Sequence, residues 1–135
     1  MKYIKLFESY TRQEEFLRIG WKDAKIGDTQ PEDIIYQYAQ ELHRNYDDFV
    51  DGDLGERIEE FSEYQLVEIN IDDIDIEEWE IDEDIVNDYV EEYETNKNYP
   101  PIIIGDDYSI IDGTHRANAL DKLGIKRVKA WLGIN

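Results

Sequence analysis

Apolar positions follow three different rhythms along these 135 residues. In "TQPEDIIYQYAQELHRNYDDF", Ile35, Tyr38, Leu42, Tyr46 and Phe49 recur at helical spacing and form one stripe. Thr29 followed by Glu32 reads as a capping box, with Pro31 in the first turn. "DGDLGE" stops this helix, and a further short helix is expected over Glu56 to Tyr64. Upstream, "TRQEEFLRI" reads as a short helix capped by Ser9 or Thr11, and "WKDAKIGD" as a loop or brief strand.

The period then changes. "YQLVEINI" is rich in strand formers and predicts a strand from Leu66 to Ile71. In "DDIDIEEWEI", Ile74 and Ile76 alternate with acids, as in a half-buried strand or an irregular connection. From Asp82 the helical rhythm returns, with Ile85, Tyr89 and Tyr93 spaced by four and Val86 and Val90 beside them. Glu83 and Asp84 lie at the end of that helix which favours negative charge.

The last segment is short-ranged. "PPIIIG" predicts a strand, "DD" a turn, and Tyr108 to Ile111 a returning strand. "THRANALDKLG" predicts a helix closed by Gly124, and "KRVKAWLG" a final strand. The reading is an α+β fold: a small mixed sheet with helices over 63–135, preceded by a helical N-terminal extension over 1–62.

Charge changes this picture. The formal net charge is -20. Residues 63–99 hold 15 acids and one base, Lys97, whereas residues 100–135 hold 4 acids and 5 bases. A chain this acidic repels nucleic acid and anionic membranes at long range, so neither is an expected direct partner. A basic protein is, and an acidic surface can imitate the phosphate row of DNA. The absence of cysteine removes disulfides, thiolate metal sites and cysteine nucleophiles. With two histidines, His43 and His115, no histidine cluster exists for zinc, and magnesium held by carboxylates and ligand phosphates stays open. The 13% aromatic content argues for a folded chain. With no apolar run of spanning length and no secretory signal pattern, a cytoplasmic location is expected.

The candidate chemistry lies in the one segment that is not acidic. In "IIDGTHRANALDKLG", Asp112-Gly113 ends a strand and a helix opens at Thr114. Gly113 permits a tight turn, and the helix offers unpaired N–H groups and a positive dipole end. Thr114, His115 and Arg116 add donors, arginine being the best fork for two phosphate oxygens. These are the parts of an anion-binding nest. An ordinary helix cap explains Gly113-Thr114 equally, and Arg116 has an alternative partner in Asp112 or an acid of the middle segment.

The stretch "PPIIIGDDYSIIDGTHRANALDKLGIKRVKAWL" resembles the core of the ParB/sulfiredoxin superfamily, with "LVEINIDDID" and "DEDIVNDYVEEYETNKNYPPI" similar to its first strand and the following helix. The resemblance covers about 63–135 and implies that superfamily's fold. It also implies a phosphate cradle at Gly113, Thr114, His115 and Arg116, with Asn118 as a lesser contributor to phosphate or magnesium binding. The implied cofactor is a nucleotide (ATP, ADP or CTP) with Mg²⁺. Members include CTP-hydrolysing partition proteins, ATP-using sulfiredoxins, an ADP-dependent free-serine kinase and nuclease-like proteins. Sulfiredoxins carry a cysteine where this chain has Thr114, so sulfinic acid reduction by that route is excluded. Partition proteins carry an acid followed by two arginines there. The opening "MKYIKLFE" is similar to the starts of small tailed-phage proteins.

Three functions follow. The main expectation is a nucleotide-binding domain, either an NTPase or a phosphotransferase acting on a small hydroxyl compound. His115 and Arg116 would stabilise the transferring phosphoryl group, and Glu68, on the first strand, would be general base. The alternative is a non-catalytic acidic protein that engages a basic partner, as a DNA mimic or inhibitor. The third is a nuclease whose metals would sit on Asp106, Asp107 and Asp112. Tyr36, Tyr38, Tyr46 and Trp21 are candidate contact residues of the N-terminal segment, although core packing explains Tyr38 and Tyr46 more simply.

Overall fold

The computed structural model describes residues 24–44, 52–76, 81–95 and 99–134. The expected helix at "TRQEEFLRI", together with Trp21, Tyr46 and Phe49, lies outside them. Five strands form one sheet: β1 (Thr29–Pro31), β2 (Glu63–Asn70), β3 (Ile102–Ile104), β4 (Ile110–Asp112) and β5 (Arg127–Ile134). Among the described residues four α-helices accompany them: α1 (Glu32–Arg44), α2 (Gly52–Ile58), α3 (Glu83–Thr95) and α4 (Thr114–Lys122). The strand order is β1-β2-β5-β3-β4. β5 runs parallel to β3 and antiparallel to β2 across an eight-residue register from Glu63↔Ile134 to Asn70↔Arg127. The fold is therefore α+β and mixed.

Both sheet faces are covered. On one, Val86, Tyr89 and Tyr93 of α3 and Ala117 and Leu120 of α4 pack against Ile69, Val128, Ala130, Ile102 and Ile104. On the other, Ile34, Ile35 and Tyr38 of α1 and Ile58 of α2 pack against Tyr64, Leu66, Ile103 and Trp131. Burial on both sides explains why β3 reads as an unbroken "III" instead of alternating. Each fully buried side chain of this size contributes about 1.5–3 kcal/mol.

Three local expectations are revised. Thr29 does not cap α1; it pairs with Gln65, and residues 29–31 form an edge strand because β2 offers them a ladder. Residues 52–56 of "DGDLGE" are helical, as part of α2, where the Gly55 position faces the Tyr36 ring; a Cβ there would meet Tyr36 Cε1 at 3.3 Å. Tyr64 is in β2, its hydroxyl donating 2.7 Å to the Ile58 carbonyl. The described part of the N-terminal segment thus adds one strand to the sheet and the helices of one face.

Candidate functional site

The site is built where β4 hands over to α4. Gly113 has φ 111° and ψ 23°, the left-handed region open to glycine. A Cβ there would stand 2.7 Å from Ile102 Cγ2 and 3.0 Å from Arg116 Nη2. Glycine is therefore required twice, once by conformation and once by space. Helix α4 follows directly, its ladder beginning at Ala117 N donating to Gly113 O at 2.8 Å. The N–H groups of the preceding turn have no place in that ladder. Gly113, Thr114 and His115 are half-buried at this end of the helix.

The side chains expected to cradle phosphate turn elsewhere. Arg116 is 3% exposed and points into the protein, where Nη2 donates to the Pro101 carbonyl at 3.2 Å. Tyr38 of α1 donates to the same carbonyl at 2.7 Å. The Arg116 Nε has no hydrogen-bond partner. Burial works against the guanidinium charge, but Tyr38, Asp112, Tyr89 and Tyr93 act the other way and hold it protonated above the ordinary arginine range. At neutral pH the phenols are uncharged, so Asp112, itself 9% exposed, is the carboxylate that balances it. Burial likewise raises the Tyr38 phenol, with Arg116 opposing and Asp112 assisting.

His115 faces α3. Its Nε2 accepts the backbone N–H of Asp82 at 3.0 Å, while Asp82 Oδ1 accepts the N–H of Asp84 at 2.9 Å and opens that helix. Asn118 donates 2.8 Å back to the Thr114 carbonyl within its own helix. The structure thus gathers Gly113, Thr114, His115, Arg116 and Asn118 at one turn, but internal bonds already engage three of their side chains.

Glu68 is not brought to that turn. It sits on β2 opposite Lys129 and ion-pairs with Arg127 at 3.5 Å, both side chains being well exposed. β5 and β3 lie between β2 and β4, which amounts to roughly 14 Å of sheet. Its position along the strand also shares a face with Tyr64 and Leu66, whereas α4 covers the opposite face. The carboxylates suggested for metal separate too: Asp106 and Asp107 lie in the exposed hairpin turn, and Asp112 lies buried at the far end of β4. Asp107 accepts the Ser109 N–H and hydroxyl, bonds that lower its pKa. Among the described residues no group of three or more potential ligands is placed to hold a metal ion. Nor is any helix among them long and apolar enough to cross a membrane.

What pattern reading missed is the far side of each contact. Tyr38 and Pro101 meet Arg116 from distant positions, and Asp82 meets His115 across 33 residues. No local periodicity encodes such encounters.

The architecture defines a small mixed-sheet α+β domain with a glycine-led strand-to-helix turn. No protein-family model matches the chain, and no curated protein matches it. Among solved structures it is similar to a Pnob8-like ParB-N domain in its C2221 form, with a TM-score of 0.46 and 20% identity. That match covers 53% of this chain and 31% of the other, so the chain spans about a third of that structure's length.

One expectation is corrected. Direct nucleic-acid contact was excluded from the net charge of -20, and that exclusion does not stand. The physical reason is that net charge is not local charge. Lys126, Arg127 and Lys129 are all exposed on or beside β5, with Arg127 paired to Glu68.

Proposed function

We propose that this chain is a non-catalytic interaction module whose acidic face docks a basic surface of a protein partner, much as a row of DNA phosphates would. The observation that carries this reading is where the acids of α3 stand. Ten acids between Asp72 and Glu94 are exposed among the described residues, and that stretch contains no base. Asp84, Asp88, Glu91 and Glu94 follow one another at helical spacing on the solvent side. Glu91, Glu92 and Glu94 lie toward the helix end where the dipole favours cations, and the last turn carries no base. Like charges three and four apart destabilise a helix by about 0.2–0.5 kcal/mol per pair. The arrangement therefore works against the helix that displays it, and a cationic partner relieves that repulsion. The internal engagement of His115 and Arg116 supports the same reading by leaving less for a transferring phosphoryl group.

The test is capture of purified basic DNA-binding proteins on the immobilised chain over a salt series, beside the variant D88K/E91K/E94K. Capture should weaken steeply with salt and fall at least tenfold in the variant. Capture that persists at 1 M salt, or is equal on the variant, refutes the reading. Labelled duplex DNA run alone over the same chain reports any direct contact.

A second reading has one specific observation behind it. The α4 N-terminus is half-open beside a buried arginine whose Nε is unpartnered, which is a start for an anion site taking a nucleotide phosphate with Mg²⁺. Isothermal titration with ATP, ADP and CTP, with and without Mg²⁺, tests it. Micromolar binding lost in T114P, which obstructs the turn while leaving Arg116 in place, supports it; no heat with any nucleotide removes it.

A further inference from the structure

We propose that His115 is a pH-dependent latch on the first turn of α3. The Asp82 backbone N–H, which only donates, lies 3.0 Å from His115 Nε2. Nε2 must therefore carry a lone pair, and the ring is neutral with its proton on Nδ1. Protonation places a hydrogen on Nε2, and this bond is lost. Histidine side chains ordinarily change charge between about pH 5 and 8.

The surroundings decide what the charged ring does next. Asp82, just before α3, contacts it, and Glu83 and Asp84 are the acids of the helix's first turn. On its own helix and the preceding strand the charged groups are Arg116, Asp121, Lys122 and Asp112. β3 presents the uncharged Ile102 beneath the turn. Glu83 is already paired with Lys122 at 2.7 Å. Arg116 and Asp112 are buried, facing inward. The carboxylates of Asp82 and Asp84 are then the receivers for a cationic ring. Asp82 is the critical one, because its Oδ1 holds the Asp84 N–H at 2.9 Å and thereby caps the helix. In the neutral state the ring fixes the Asp82 backbone and the carboxylate caps α3. In the protonated state the backbone is released and the carboxylate is drawn toward the imidazolium, so the first turn of α3 loosens as pH falls. The device belongs to the free chain and holds whether or not the acidic face has a partner.

The test is amide hydrogen exchange read as protection factors, which remove the intrinsic pH dependence of exchange. Protection at Asp82 and Asp84 is followed from pH 8 to 5 while the His115 ring is titrated by NMR. Asp82 protection should fall roughly three- to tenfold in step with ring protonation, the worth of about one net hydrogen bond. His115→Gln keeps an acceptor that does not titrate, so its protection should be flat with pH; His43→Gln leaves the fall intact. Unchanged protection across the wild-type titration overturns the proposal. So does an equal fall in His115→Gln, which would assign the effect to carboxylates alone.

Discussion

Replacing Gly113 with alanine tests the turn most directly. Two effects add. The backbone at φ 111° must be held by an L residue, which costs about 1–2 kcal/mol. The new Cβ also stands 2.7 Å from Ile102 Cγ2 and 3.0 Å from Ile102 Cβ. Ile102 is 0% exposed and pinned in β3 between β5 and β4, so it has little room to yield. Over-packing of that kind costs about 1–3 kcal/mol. The sum is about 2–5 kcal/mol, a fall in Tm on the order of 10 °C for a domain of this size. Gly27 provides the internal standard: its φ is 99°, but a Cβ there meets nothing within 4 Å, so G27A carries the backbone effect alone. Urea denaturation followed by far-UV circular dichroism measures both, and the difference isolates the Ile102 contact. If G113A loses no more than G27A, the close approach of the turn to β3 is wrong.

Other outcomes follow from the same structure. Arg116→Ala leaves the Asp112 carboxylate without its buried counter-charge and should destabilise by about 3–5 kcal/mol in urea titrations, with Tyr38→Phe clearly milder. Burial raises the Tyr38 phenol, and Tyr64 and Tyr99 shift the same way for the same leading reason. Their unfolded forms ionise near pH 10, so this stability is complete below that pH and is lost above it. Each phenol contributes a slope of about 1.4 kcal/mol per pH unit, and urea midpoints at pH 9, 10 and 11 should show one step fewer in Tyr38→Phe. Glu68→Ala, at an exposed ion pair, should change stability by less than about 0.5 kcal/mol. Added sodium chloride should raise Tm by screening α3, and a flat or falling Tm would contradict the repulsion argued for that helix.

How far this was legible in the sequence depended on the range of the interaction. Helices α3 and α4 and strands β3 to β5 were readable because each declares itself within a few residues, through the spacing of Ile85, Tyr89 and Tyr93, or through Gly113 and Gly124 at the two ends of α4. Strand β1 was not, because three residues carry no period and only β2 makes them a strand. Helix α2 was expected too late, from Glu56 to Tyr64, because Gly52 and Gly55 read as breakers, while in the fold Gly55 admits the Tyr36 ring. "DGTHR" was recognisable as a special turn, but not the direction of its side chains. An arginine one turn into a helix looks the same on paper whether it faces solvent or, as here, meets Tyr38, Pro101 and Asp112 inside.

The central position of β5 has a consequence for synthesis. β5 is the last of the five strands in chain order, yet it lies between β2 and β3. Until it emerges from the ribosome, the β1–β2 pair and the β3–β4 hairpin are two half-sheets with no ladder between them. The backbone edges of β2 and β3 that β5 will join then wait without ladder partners. The domain cannot fold progressively as it is made; it closes in one late step when residues 127–134 insert. During that interval the half-sheets are exposed to mispairing with other nascent chains. The many acids already translated, with their mutual repulsion, keep neighbouring copies apart until the last strand arrives.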